Sequence, residues 1–288
     1  MNILITGCNG QLGNEMQLLQ SSAPQHSFFN TDIQELDITD ARAVDAFVKQ
    51  NSIDGIVNCA AYTAVDKAEN NPELCRTLNA VAPEILAKAI EARQGWIIQI
   101  STDYVYESSN NTPLTEDCST APDSIYGITK LEGELRVIAA CNRAVIIRTA
   151  WLYSTFGNNF VKTMLRLGRE RQTLGVVVDQ AGTPTYAADL AAAIMHIIDR
   201  GIVPGVYNYS NEGVCSWYDF TKAIHRIAGI TTCNVSPLHT ADYPTPARRP
   251  AYSVLDKTKI RKTFGITIPH WEESLRRCMQ SLVLPDHA

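Results

Sequence analysis

Tyr126 and Lys130 are the first residues whose types and spacing suggest chemistry. On a helix, positions i and i+4 share one face, so the ammonium can lie beside the phenol. A neighbouring positive charge favours phenolate over phenol. Tyrosine ordinarily titrates near about 10, and lowering that by ~3 units corresponds to about 4 kcal/mol of differential stabilisation. Such a phenol serves as a general acid or base near neutral pH. Tyr-x-x-x-Lys also arises by chance on exposed helices, so its meaning depends on what surrounds it. Thr102, within Ser101-Thr102-Asp103-Tyr104-Val105-Tyr106, closes an apolar run that reads as a strand. There its hydroxyl either bonds a substrate carbonyl oxygen or merely satisfies the strand end.

The second chemical feature lies at the N-terminus. Gly7, Gly10 and Gly13 frame Cys8-Asn9 and Gln11-Leu12, after the apolar run 3–6 and before a helical pattern. A strand, this glycine spacing and a helix form the context of a dinucleotide-binding turn. Glycine permits positive φ, close approach of the backbone to a pyrophosphate, and tight helix–strand packing. The helix N-terminus supplies free N–H groups and partial positive charge to the phosphates. An acidic residue about 20 positions further on is expected to take the adenosine ribose. Asp32 is the candidate, and it would favour NADH by repelling a 2′-phosphate. It serves equally well as an ordinary turn residue. Asp37, in Leu36-Asp37-Ile38, is expected near the adenine edge.

These residues need a frame that brings strand ends and helix starts together. Apolar runs at 3–6, 27–30, 53–58, 96–101 and 144–149 alternate with helical patterns at 12–20, 40–50, 73–92 and 125–141. That rhythm predicts an α/β fold with a doubly wound parallel sheet covered on both faces. After Trp151 the rhythm changes. Helices are expected at 159–171, 187–200, 217–228, 256–264 and 271–282, with short strands at 174–178 and 206–209. The proline-rich stretch 236–253 reads as loop. Residues 1–150, joined by 187–210, are expected to form the dinucleotide-binding domain, and 151–288 mainly a smaller C-terminal α/β substrate-binding lobe.

Composition narrows the classes. The 288 residues are 45% hydrophobic with a net charge of -5, which argues against a nucleic-acid partner while leaving room for a local basic pocket. The eight cysteines are scattered without C-x-x-C pairing, which argues against a zinc site and fits free thiols in a reducing compartment. No secretory pattern or bilayer-length apolar stretch occurs, so a cytoplasmic protein without a membrane partner is expected.

The glycine loop, Asn58-Cys59-Ala60-Ala61-Tyr62-Thr63-Ala64-Val65-Asp66-Lys67-Ala68-Glu69, the Ser101–Tyr106 segment and Tyr126-Gly127-Ile128-Thr129-Lys130 together resemble the extended short-chain dehydrogenase/reductases. Arg148-Thr149-Ala150-Trp151-Leu152-Tyr153, Gly157-Asn158-Asn159-Phe160 and Tyr243-Pro244-Thr245-Pro246-Ala247-Arg248-Arg249-Pro250 narrow the resemblance to the dTDP-4-dehydrorhamnose reductase family. The matches run in family order over nearly the whole chain. The resemblance implies reduction of a 4-keto nucleotide sugar by NADPH or NADH. Tyr126 would be the proton donor, with Lys130 lowering its pKa and holding the nicotinamide ribose, and Thr102 binding the same substrate oxygen. It also implies that Thr102, Asp103 and Trp151 contact the sugar nucleotide, and that Gly10, Gln11, Leu12, Asp37, Ile38, Ala60, Ala61 and Thr63 line the dinucleotide. Arg248 and Arg249 match phosphate oxygens chemically, and a solvated basic loop has the same composition.

Some relatives bind magnesium at a dimer interface through acidic side chains. Glu15 matches one such position, but its partner position holds Ala188 with Asp189 beside it, which puts the metal and that dimer in doubt and leaves a monomer or a homodimer. Three other activities share the resemblance. A 4,6-dehydratase needs an acid after Thr-Asp, where this chain has Tyr104. A 4-epimerase would keep its NAD bound through catalysis. A regulatory subunit like that of methionine adenosyltransferase would bind an enzyme partner, and the intact Thr102, Tyr126 and Lys130 argue for catalysis instead.

Overall fold

The computed structural model describes residues 1–107 and 111–283. Its elements run β1 (Asn2–Thr6), α1 (Gln11–Leu19), β2 (Ser27–Thr31), α2 (Ala41–Gln50), β3 (Gly55–Asn58), α3 (Val65–Ala68), α4 (Pro72–Arg76), α5 (Ala82–Glu91), β4 (Trp96–Thr102), α6 (Ile125–Ala140) and β5 (Ala144–Thr149). There follow β6 (Leu152–Tyr153), α7 (Phe160–Glu170), β7 (Thr173–Val177), β8 (Ala181–Gly182), β9 (Thr185–Tyr186), α8 (Ala187–Arg200), β10 (Gly205–Asn208), β11 (Cys215–Ser216), α9 (Trp217–Ile227), β12 (Asn234–Leu238), α10 (Thr258–Phe264) and α11 (Trp271–Val283).

Six strands form one parallel sheet in the order β10-β5-β4-β3-β1-β2. Because side chains alternate along a strand, Ile3 and Ile5 pack with Met16, Leu190 and Ile194 on one face, while Leu4 packs with Val44, Leu86 and Ile90 on the other. The strands are apolar within the sheet and end in polar residues at its carboxyl edge. Thr6 is in register with Thr31 and Asn58, and Thr102 with Thr149. The Thr6 hydroxyl donates to Asn58 Oδ1 at 2.6 Å, and Asn58 Nδ2 to Gln99 Oε1 at 2.7 Å. That edge is where an open parallel sheet places its ligands. A separate apolar cluster around Tyr153, Phe220, Trp271 and Leu275 holds α7, α9 and α11 together.

Local signals explain most boundaries. Asp40 caps α2 by accepting from the Arg42 and Ala43 amides, and Ser216 and Asp219 form a capping box on α9. Two features differ from the sequence reading. The expected helix over 73–92 contains a π-helical turn, Thr77–Val81, between α4 and α5. The last three residues of β12, 236–238, fall in the stretch expected to be loop, and they pair in parallel with β7 despite Pro237. A two-stranded ribbon leaves each strand an open edge, so Pro237 need not donate to the ladder.

Candidate active site

The glycine loop makes the floor of a cleft of about 320 Å³ at the sheet's carboxyl edge. Gly7 has φ +64, and a Cβ there would lie 2.7 Å from the Ala60 backbone. A Cβ on Gly13 would lie 2.3 Å from the Gly7 carbonyl oxygen, so only glycine lets α1 start this close to the turn. Gly10 is the N-cap of α1 and contributes no side-chain acceptor. The first-turn amides are thus available to an anion. These features fit a dinucleotide pyrophosphate.

Gly7, Gly10, Asp32, Ile38, Ala60 and Ala61 all line the cleft, together with Thr31, Ile33, Leu36, Cys59 and Leu78. The Asp32 carboxylate accepts from the Asn9 amide at 3.1 Å and the Ile33 amide at 2.8 Å. It is therefore both a turn former and the acidic wall of the cleft. Other candidates lie apart from this lining. The Leu12 side chain is in the core, and Gln11 Oε1 accepts from Asn159 Nδ2 at 3.0 Å. Asp37 is exposed, and bonds from the Thr39 hydroxyl and amide hold its carboxyl below the usual range. Thr63 is exposed, its carbonyl accepting from the Val65 amide.

The reactive side chains meet where β4 ends and α6 begins. Ser124 caps α6 through the Gly127 amide, setting half-buried Tyr126 in the first turn. Burial pushes the Tyr126 phenol up, and a hydrogen bond with the Thr102 hydroxyl opposes that rise. Thr102 Oγ1 donates to Asp103 Oδ1 at 3.0 Å and accepts from the Tyr104 amide. Asp103 is buried, which raises its carboxyl to about 6 despite bonding from Ser253 and Thr102. Its Oδ2 makes no hydrogen bond of ordinary geometry among the described residues. The Tyr104 ring stands edge-on to Tyr126, with centroids 5.5 Å apart.

Lys130 departs from the simple expectation. It is buried, and its Nζ donates to the Ile100 carbonyl at 2.6 Å. Desolvation lowers it to about 8, with the Glu134 carboxylate opposing. Glu134 in turn is paired with Arg148 at 2.6 Å and accepts from Ser101 at 2.5 Å. In the protein by itself burial dominates Tyr126, and the lysine charge is directed at the strand carbonyl.

On the other side, Trp151 has φ +49 and stacks on Trp217 with centroids 3.5 Å apart and planes 10° from parallel. Positive φ in a bulky residue is strained, and such strain persists only where the surroundings enforce it. Arg248 is exposed and pairs with Asp123 at 3.2 Å, whereas Arg249 makes a two-pronged pair with Asp66. Glu15 and Asp189 are both buried. Glu15 accepts from Ser154 at 2.6 Å, and Asp189 accepts from Asn211, Ser274 and Arg277. Among the described residues no group of three or more His, Cys, Asp or Glu is placed to hold a metal. All eight cysteines are free, and no described helix is long and apolar enough to cross a membrane.

The structure adds supports that the sequence reading passed over. Asn79, in the π turn, accepts from the Tyr62 amide and donates to the Tyr62 carbonyl, fixing the segment after the cleft. π turns of this kind recur at functional sites. Glu69 accepts from the Ile125 amide at 2.9 Å, next to Tyr126. Trp217 is paired with Trp151 as described. Asp66 and Glu69 both lie in the Asn58–Glu69 segment that carries the family resemblance, and their partners, Arg249 and the Ile125 amide, are remote in sequence.

Comparison with known proteins agrees with this geometry. The family model described as the RmlD substrate binding domain matches residues 1–284. The dTDP-4-dehydrorhamnose reductase of Salmonella typhimurium is 39% identical over 98% of each chain. A crystal structure of a dTDP-4-dehydrorhamnose reductase from Clostridium acetobutylicum superposes with a TM-score of 0.94 at 44% identity, covering 98% of this chain and 99% of that one. One from Bacillus anthracis in complex with NADP gives 0.93 at 38% identity, covering 97% and 99%.

Proposed function

The chain belongs to the RmlD substrate binding domain family, and from that premise we propose that it reduces dTDP-4-dehydro-L-rhamnose at C4 to dTDP-L-rhamnose with NADH or NADPH. The glycine-loop cleft would hold the dinucleotide by its pyrophosphate and adenosine, and its reduced nicotinamide would supply the hydride. Tyr126 gives its phenolic proton to the C4 oxygen as the hydride arrives at C4, so the ketone becomes a hydroxyl. Thr102 turns its single hydroxyl proton from Asp103 to the same oxygen, beside Tyr126. Lys130 leaves the Ile100 carbonyl to hold the ribose hydroxyls and to favour the phenolate that remains. Asp103 orients Thr102.

Gly7, Gly10, Gly13, Gln11 and Leu12 present backbone to the pyrophosphate. Asp32, Asp37 and Ile38 hold the adenosine, and Ala60, Ala61 and Thr63 flank the rest. The stacked Trp151 offers an apolar wall to the deoxysugar, and the Arg248–Arg249 edge suits the diphosphate. Residues 1–150 with 187–210 would thus carry the dinucleotide and the remainder mainly the substrate. The enzyme would work in the cytoplasm as a monomer or homodimer.

The observation that carries this reading is the convergence of Thr102, at the end of β4, and Tyr126, in the first turn of α6, at the sheet edge that also holds the glycine-loop cleft. The test is a spectrophotometric assay with the 4-keto sugar nucleotide and each reduced cofactor in turn. Cofactor oxidation that requires the sugar nucleotide supports the proposal. Its absence with both cofactors rejects it.

A further inference from the structure

Asp66 lies in α3, and its partners are remote in sequence. Its Oδ1 accepts from Arg249 Nη1 at 2.9 Å and from the Ala247 amide at 3.2 Å, and its Oδ2 from Arg249 Nη2 at 2.8 Å. Arg249 Nη1 also donates to the Ala247 carbonyl at 2.8 Å and to Thr245 Oγ1 at 3.1 Å. The chain from Thr245 to Arg249 is therefore folded around one guanidinium, and that guanidinium is fixed by one carboxylate of the opposite element. Arg249 has most of its fork committed here, while adjacent Arg248 pairs with Asp123 at 3.2 Å and keeps an exposed head. Both arginines border the space beside Tyr104 and Ser124, and the Tyr104 ring in turn meets Tyr126. The next acid along from α3, Glu69, meets the Ile125 amide at the start of the Tyr126 helix. One short segment thus faces both the 243–250 loop and the reactive helix.

We propose that Asp66 is a positioning residue for the sugar nucleotide: by latching Arg249 it sets the 243–250 loop so that Arg248 meets the diphosphate. The inference deepens the reductase reading and rests on it for the identity of the ligand. Side-chain exposures of 40% for Asp66 and 25% for Arg249 place the latch at the rim, not in the core. A rim pair adds little to global stability, so its loss acts on the loop it orders.

The test compares wild type with Asp66→Asn and Arg249→Lys. In Asp66→Asn the KM for the sugar nucleotide is expected to rise about tenfold, with the KM for NADH within about twofold and the thermal midpoint unmoved. Arg249→Lys, which keeps charge but loses the fork, is expected to fall between. A readout free of substrate is trypsin cleavage after Arg248, since the bond after Arg249 is protected by Pro250. Asp66→Asn should speed that cleavage about tenfold. Unchanged KM and unchanged cleavage overturn the latch, as does an equal rise in KM for both ligands. Should wild type fail to turn over the sugar nucleotide, the reductase reading falls, and the cleavage rates still decide the latch.

Discussion

Replacing Lys130 by Met separates the lysine's function from its burden on the fold. Its ammonium is buried, and desolvation lowers its pKa to about 8. In the unfolded chain a lysine titrates near about 10.4. Between those values the unfolded state binds more protons than the folded one, so this group makes stability rise with pH from 8 to about 10.4. At pH 7 the depressed pKa corresponds to about 3 kcal/mol of destabilisation, and at pH 10 to less than about 1. Met removes that burden but leaves the Ile100 carbonyl without its 2.6 Å donor, at a cost of about 1–3 kcal/mol. The net change at pH 7 should therefore lie between zero and about +2 kcal/mol, a variant as stable as wild type and catalytically impaired. The sharper quantity is the difference between the proteins as pH changes. Urea unfolding at pH 7 and pH 10 should show the variant's relative stability falling by about 2.5 kcal/mol, because groups that do not interact with Lys130 titrate alike in both proteins. A difference independent of pH would refute the claim that a desolvated ammonium sits at this position.

Gly13→Ala should abolish measurable NADH binding in a fluorescence titration while leaving the sugar-nucleotide side intact, because its Cβ would meet the Gly7 carbonyl oxygen at 2.3 Å. Asp32→Ala should shift the ratio of KM values toward NADPH by about tenfold. Like charges at ~4 Å cost about 1 kcal/mol in water and about 4 at an effective dielectric of 20, and half-buried Asp32 belongs near the lower end. Asp103→Asn should gain stability relative to wild type as pH rises from 4 to 7, by up to about 3 kcal/mol in chemical denaturation. The sign follows from the raised carboxyl, near 6, whose folded state retains a proton that the unfolded chain has already lost.

Much of the site was legible because it is local. The glycine spacing, the strand-ending Thr102 and the helical Tyr126–Lys130 interval each lie within a few residues, and the strand–helix rhythm fixed which edge they share. What stayed hidden depends on distant partners. Asp66 finds Arg249 183 positions away, which no periodicity encodes. The π turn that presents Asn79 looks like uninterrupted helix in sequence, since its residues suit either geometry. The i, i+4 interval puts Tyr126 and Lys130 on α6, but the direction of the Lys130 ammonium depends on the Ile100 carbonyl of β4. Pro237 sent the opposite local message, overridden because β12 lies on an open edge. The paired prongs of Arg248–Arg249 looked equivalent in sequence and are not, since only one meets Asp66.

The central claim is that the Tyr126 phenol delivers the proton that completes hydride transfer to a ketone. It is tested most directly by single-turnover oxidation of bound NADH or NADPH, whichever wild type oxidises faster, with dTDP-4-dehydro-L-rhamnose, in wild type and Tyr126→Phe. The account predicts rapid substrate-dependent oxidation in wild type and a rate lower by about 10²–10⁴-fold in the variant, with cofactor affinity retained. Equal rates in the two proteins would contradict it.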